Sequence, residues 1–300
     1  MPGLDTVLQQ LVYTIALAAA YGLFAAGFLL IFGVLDVLNL GYAFVFMICA
    51  IMCVWLTLQG IPLWASILMT IAVGVTLGML TDVLAYRPIL RLKSLIGGVN
   101  FGPVVSTLAM GQIIAAVTQN WFGTNLISFQ VTEFPTKLYT IGSITITSVQ
   151  IVVVVAAAVL LFGLKLVLSR TSFGTSVRAI SQNRSMAESL GINTTRVVAG
   201  VWVLSSTLAA IAGICIAIMN RAADPTIGTN YELKGFIIVV IGGLGSVGGA
   251  VLAAVIVAVL ETASALYLGG QYSDVVTLGA VIVILAIRPF GLLGVRRRTV

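Results

Sequence analysis

The sequence has no histidine and very little charge: 8% of its 300 residues are Asp, Glu, Lys or Arg, where soluble domains carry about 25%. Without histidine the chain lacks the commonest general base and the commonest metal ligand, which excludes Ser-His mechanisms and histidine-dependent intramembrane metalloproteases. No acid pair stands at a spacing suited to hydrolysis, so an enzyme is not expected, nor is a metal or cofactor site. Three cysteines are too few for a disulfide scaffold, and Cys49, Cys53 and Cys215 all lie in apolar runs. The first two are one helical turn apart, which suits packing rather than a bridge.

What the chain does have is apolar sequence, 60% of the residues, with a mean hydropathy of +1.17. A bilayer crossing takes about 20 apolar residues, so this length allows roughly eight to ten crossings and no large soluble domain. The apolar runs fall near 11–33, 41–58, 63–85, 102–122, 148–169, 197–219, 235–268 and 272–287. The expected fold is all-α: a polytopic helical bundle of about eight to nine transmembrane helices with one glycine-broken segment, forming a single transmembrane domain over residues 1–300. The first run has no basic stretch before it, lacks a small-residue cleavage site and continues past Leu29, so it reads as a spanning helix and not a signal peptide.

The net charge of +6 reads as topology more than as attraction to an acidic partner, and nucleic acid is not expected. Twelve basic residues fall on one side if Arg87, Arg91, Lys93, the group from Lys165 to Arg196, Arg288 and Arg296–Arg298 are cytoplasmic; Lys137, Arg221 and Lys234 are the three left outside. Positive residues favour the cytoplasm, so the C-terminus is expected there and the N-terminus outside. An odd number of crossings must then separate Arg221 from the arginine tail. The run 235–268 must therefore break, either as a turn between two crossings or as a re-entrant piece; two elements, Gly235–Leu244 and Gly248–Leu268, are expected.

The break falls on Gly242, Gly243, Gly245, Gly248 and Gly249. This string lacks the Gly-Lys-Ser/Thr ending of a phosphate-binding loop. Small residues let helix backbones approach in lipid, so the string reads as packing or as a bent, moving segment. Glu261 is the most deeply placed ionisable residue, and such a group must face a cavity or a partner, either an interhelical bond to a second subunit or a transport path. Gln112 and Gln119 are two helical turns apart and put amides on one face of an apolar helix, suiting a path or interhelical bonds equally. Asp36 and Asn39 read as helix caps, with Asn39 also a candidate for the path. Asp82 is expected to pair with Arg87.

One long connection, about 170–196, is expected in the cytoplasm, with a helical pattern through Val177–Leu190 ending at Gly191. A helix there, parallel to the membrane, would present Ser176, Ile180, Met186, Ala187 and Leu190 to a soluble partner. Its sequence, VRAISQNRSMAESLGIN, resembles the segment by which ABC importer permeases dock on their ATPases. LKGFIIVVIGGLGSVGGAVLAAVIVAVLE at Leu233–Glu261, IRPFGLLG at Ile287–Gly294, YRP at Tyr86–Pro88 and FGVLDVLN at Phe32–Asn39 resemble landmarks of the branched-chain amino acid permease family, in the right order over nearly the whole chain.

The resemblance implies a bacterial inner-membrane permease that works with a second homologous permease subunit, two ATPase subunits, a periplasmic solute-binding protein and the surrounding lipid. It also implies ATPase coupling through Arg178, Met186, Ala187, Glu188, Leu190 and Gly191. Branched-chain or related amino acids are the implied solutes; the SQNR stretch at Ser181–Arg184 is similar to urea and short-amide members as well. Where the family continues with an Ala-His-Gly element, this chain has Gly41-Tyr42-Ala43, so Tyr42 would offer the path a neutral hydroxyl. The alternatives are an ATP-independent transporter or channel, which should show matching broken helices in both halves where only one such segment is visible, and a ribose-type importer subunit with the same coupling but another solute.

Overall fold

A computed structural model describes residues 4–89, 102–128, 137–141, 144–243, 245–288 and 291–293. It contains eleven α-helices among those residues: α1 (Leu4–Leu35), α2 (Tyr42–Leu58), α3 (Leu63–Leu80), α4 (Gly102–Phe122), α5 (Ser148–Arg170), α6 (Ser172–Gln182), α7 (Arg184–Ser189), α8 (Thr194–Asn220), α9 (Ile227–Gly242), α10 (Val247–Tyr267) and α11 (Ser273–Ile287). A π-helical turn, Thr81–Tyr86, extends α3 and buries Asp82, whose carboxylate accepts from Arg87 Nε at 2.9 Å, the expected pair.

Side-chain meetings give the helix directions. Thr14 meets Thr262 at 2.8 Å and Gly22 faces Val251, so α1 and α10 are antiparallel. Tyr13 reaches Asn220 while Gly27 abuts Leu208, which sets α8 against α1 as well. Tyr21 and Phe24 meet Tyr231 and Gly235 in turn, so α9 runs with α1. The bundle therefore has two ends. One carries two short antiparallel ribbons, β1 (Ile127–Ser128) with β4 (Ala222–Ala223) and β2 (Leu138–Ile141) with β3 (Ile144–Thr147). The other carries α6, α7 and the glycine turn, and with them Arg170, Arg178, Arg184, Arg196 and Arg288.

Among the described residues six helices are long and apolar enough to cross a membrane: α1, α3 with its extension, α5, α8, α10 and Gly270–Ile287. The 17-residue α2 is apolar but short, and the 21-residue α4 is long enough but less apolar. The core is α1, α2 and α8. Over their most apolar windows α1 and α8 are 83% and 72% buried, against 17% for α5 and for Gly270–Ile287, so the latter two are left facing lipid or another chain. Small residues make the core close: Gly74 and Gly78 of α3 lie against Ala210 and Ser206 of α8, and Gly213 lies against the Phe46 carbonyl of α2. Cys49, Cys53 and Cys215 are buried and unbridged, as their placement predicts.

The glycine string is a turn between two helices and not a re-entrant piece. Gly243 and Gly245 take positive φ (95° and 108°), which only glycine adopts freely, and a Cβ on Gly249 would sit 2.1 Å from the Gly242 carbonyl oxygen. Gly248 has open space where a side chain would stand, so it does not share the packing role. Leu292 and Leu293 donate to the carbonyls of Ile241 and Gly242, which brings the chain beyond α11 back onto this turn. Three described helices, α9, α10 and α11, thus separate Arg221 from Arg288. The first begins at Ile227, eight residues earlier than its apolar run.

Several expectations change: Ile180 and Ala187 are buried and not presented to a partner, and Asp82, 2% exposed, lies deeper than Glu261 at 20%. Lys234 is not in an outer loop but in the second turn of α9, paired to Glu261. The single helix expected over Val177–Leu190 is two, because Asn183 leaves helical geometry (φ −158°, ψ 106°) and its side chain caps α7 on the Met186 N–H at 3.0 Å. Asn39 does not cap α2: its Oδ1 is buried with no hydrogen-bond partner, and Gly41 is the N-cap. Glu261 bonds within its own chain and needs no second subunit for a partner. Arg91, Lys93, Leu244, Pro289, Phe290, Gly294 and Arg296–Arg298 lie outside the described residues.

Candidate functional site

Three polar features interrupt the apolar bundle. The first is an ionic cluster between α1, α9, α10 and α11. Lys234 Nζ lies 2.7 Å from Glu261 Oε1 and 3.5 Å from Asp274 Oδ1, and Tyr21 donates to Glu261 Oε2 at 2.7 Å. The Lys234 and Glu261 side chains are only 14% and 20% exposed, so each needs the other; an isolated charge there would be costly. A column of rings leads from this cluster into the bundle. Tyr21 packs edge-on to Tyr231 with centroids 5.6 Å apart, Tyr231 stacks on Phe46 at 4.6 Å, and Phe24 stands 5.0 Å from Tyr42.

At the inner end of the column α2 begins inside the protein. Tyr42 is buried with its hydroxyl against Gly27 and no hydrogen-bond partner, and Asn39 Oδ1, beside Gly41, is likewise unpartnered. Gly41 touches the Thr107 carbonyl of α4, where a Cβ would lie 2.4 Å from the oxygen, so α4 crosses directly over this start.

The second feature is the outer face of α4. Thr107, Gly111, Ile114, Ala115 and Thr118 face inward, which turns Gln112 outward and leaves Gln119 half-exposed beside the exposed Asn120. Amides facing hydrocarbon would go unsatisfied, so this face meets water or another chain.

The third feature is the basic end. Thr171 caps α6 on the Gly174 N–H, Asn183 caps α7 and Asn193 caps α8 on the Arg196 N–H, so three side-chain caps fix this turn-rich stretch. Ile180 and Ala187 are buried against the bundle, while Met186 and Leu190 are 64% and 76% exposed. Glu188 accepts from Thr194 at 2.7 Å and from Arg184 at 3.3 Å, and these bonds, the first the stronger, hold its carboxyl below the ordinary glutamate range. Arg178 bonds the Leu168 carbonyl and Thr175, tying α6 to the end of α5. Gly191 takes φ +83° to end the α7 turn.

A family model described as branched-chain amino acid transport system / permease component matches residues 10–286. The chain belongs to this family. The high-affinity branched-chain amino acid transport system permease protein BraD of Pseudomonas aeruginosa is 30% identical, over 98% of this chain and 98% of BraD. LivH of Escherichia coli K12, with the same description, is 27% identical over 96% and 95% of the two chains. The xylose transport system permease XylH of Escherichia coli K12 is 27% identical over 71% of this chain and 67% of its own. No solved structure matches the chain. The relatives are permease components of transport systems, so the absent nucleotide loop is that of a permease whose ATPase is a separate chain.

Within this permease the structure separates the residues that sequence reasoning grouped. Asn39 and Tyr42 come together at the buried start of α2, Glu261 sits at the other end of the ring column, and Gln112 and Gln119 point away from both. Tyr21, Tyr231 and Lys234 were missed. The signal for Lys234 was the Asp224-Pro225-Thr226 turn: a helix starting after it carries Tyr231 and Lys234 one turn apart, on the side that faces α1 and α10. The SQNR stretch lies at the junction of α6 and α7, away from the bundle interior.

Proposed function

We propose that this chain is one transmembrane subunit of an ATP-driven importer for branched-chain amino acids in a bacterial inner membrane. The carrying observation is the match to BraD across 98% of both chains; the sugar permease XylH aligns over a smaller share. The working complex contains a second related permease, two ATPase subunits and a periplasmic binding protein, with the chain acting as a single transmembrane unit.

The basic end faces the cytoplasm, since Arg170, Arg178, Arg184, Arg196 and Arg288 gather there and only Lys137 and Arg221 stand in described connections at the ribbon end. Met186 and Leu190, exposed on a capped and rigid end, enter a cleft on the ATPase, with Arg178, Ala187, Glu188 and Gly191 holding that shape. Nucleotide-driven closure of the ATPases moves α6 and α7, and through them α8. Nucleotide must bind the two states with different affinity for this to drive transport. The solute passes along the outer face of α4, where Gln112 and Gln119 supply hydrogen bonds between this chain and the second permease. Tyr42, Asn39 and the Glu261 cluster set the position of α2 and α9 beside that path, and the glycine turn is the bend about which α9 and α10 shift.

The test is uptake by proteoliposomes holding the full complex. Labelled leucine, isoleucine or valine should enter only with internal ATP and the binding protein, and Gln112→Leu with Gln119→Leu should lower uptake while the complex still assembles. Uptake of urea or a short amide in preference would move the solute to that branch. Leucine uptake by this chain alone, without ATPase partners, would overturn the importer reading.

A further inference from the structure

Two hollows near the ribbon end adjoin each other. The larger, about 410 Å³, runs between α3 and α5 over α8 and is walled by apolar side chains, Leu63, Ile71, Val152, Ala156 and Ile211 among them. The smaller, about 60 Å³, opens at its end beside Tyr13, Thr147, Gln150 and Arg221. Val149 and Ile218 line both. The two helices that form its sides are among the least buried in the fold, 22% and 17%, so the groove opens toward hydrocarbon.

An apolar wall offers water no partners. From Val149 to Leu160 the groove follows α5 for about 16 Å at 1.5 Å per residue. A single acyl chain suits this length and volume. The length is also close to half of the roughly 30 Å hydrocarbon core, so the groove spans one leaflet.

The head of the groove is cationic. Arg221 caps α8 in the left-handed region (φ 52°), is exposed, and has no ion-pair partner among the described residues. Gln150 uses its amide oxygen to accept the Thr147 N–H at 3.0 Å, which leaves its NH2 to donate. Guanidinium and amide donors over an apolar slot match a phosphodiester with an acyl tail.

We propose that this is a binding site for one anionic phospholipid of the leaflet at the ribbon end, with its phosphate on Arg221 and Gln150 and one acyl chain between α3 and α5. The lipid fills the side of α8 that α3 and α5 leave open. Its occupancy sets their separation.

The test uses the full-length chain in neutral detergent, titrated with phosphatidylglycerol or phosphatidylcholine of matched chains and read by native mass spectrometry. Wild type should retain one lipid more tightly than any later one, with about fivefold preference for phosphatidylglycerol, the effect of one cation on a lipid of net charge −1 against a zwitterion whose choline offsets its phosphate. Arg221→Gln should erase the preference and keep the lipid. Ala156→Trp, or Val152→Trp if the first variant does not fold, should lose the first lipid of either kind. Preference unchanged in Arg221→Gln, or full lipid retention in the tryptophan variants, overturns the proposal. Displacement of the lipid by inorganic phosphate alone would mark a free-anion site, and its loss on assembly with the second permease would mark a subunit contact; each also overturns it.

Discussion

The ammonium of Lys234 stands 2.7 Å from the carboxylate of Glu261, binding α9 to α10 across the hairpin that the glycine turn closes. The two residues are 27 apart in the chain, and the turn between them brings the charges to the same depth. Glu261→Gln should destabilise the folded chain by about 2 kcal/mol, less than the roughly 3–5 kcal/mol of a fully buried pair because Asp274 keeps a second carboxylate near Lys234. Lys234→Met with Glu261→Met should recover most of that loss, since no charge is stranded. Melting temperature in detergent of wild type and the two variants checks both.

The glycine turn separates two roles by position. Gly249→Val should prevent the hairpin from closing, because the new Cβ would meet the Gly242 carbonyl, and the protein should be recovered as aggregate. Gly248→Ala should be folded and within about 0.5 kcal/mol of wild type, since open space surrounds it. Size-exclusion profiles of the two variants distinguish packing from a general intolerance of the string.

At the basic end, neighbouring residues should fail in different ways. Met186→Glu and Leu190→Glu should fold normally and lose copurification of ATPase subunits by at least about thirtyfold, the loss expected of anchors worth about 2 kcal/mol. Ala187→Glu should destabilise the chain itself, because Ala187 is buried against the bundle. Comparing melting temperature with ATPase recovery separates the two outcomes.

The Glu188 carboxylate gives the same end an acid limit. Its folded pKa lies below its ordinary value of 4.5, held down first by Thr194 and then by Arg184, so the ionised form is the one that folding favours. The contribution is complete above the ordinary value and is lost as pH falls through the lowered one. Amide exchange at residues 184–191 should therefore be flat from pH 7 to about pH 5, after correction for intrinsic rates, and rise below about pH 4. In Glu188→Gln the rise should be absent.

The composition and the spacing of apolar runs determined an all-helical membrane protein, and the charge pattern predicted the break in the run 235–268 that divides α9 from α10. These depend on one-dimensional quantities: run length against bilayer thickness, and the side on which basic residues accumulate. The motif order also placed the chain in its family. Sequence could not show where α9 starts, because the polar residues of its first two turns, Thr229, Asn230, Glu232 and Lys234, read as a loop until Glu261 and the rings of α1 and α2 are packed against that helix. Nor could it divide α6 from α7, since Asn183 breaks the helix only by capping the next one. The facing of side chains was decided by tertiary packing alone. Tyr42 is enclosed because Phe24, Gly27 and Phe28 of α1 pack on its ring and hydroxyl, Gln112 is turned outward because Thr107 and Gly111 take the inner face, and Ala187 is hidden while Leu190 is not. Each of these depends on which neighbour arrives from a distant part of the chain, and no local pattern carries that information.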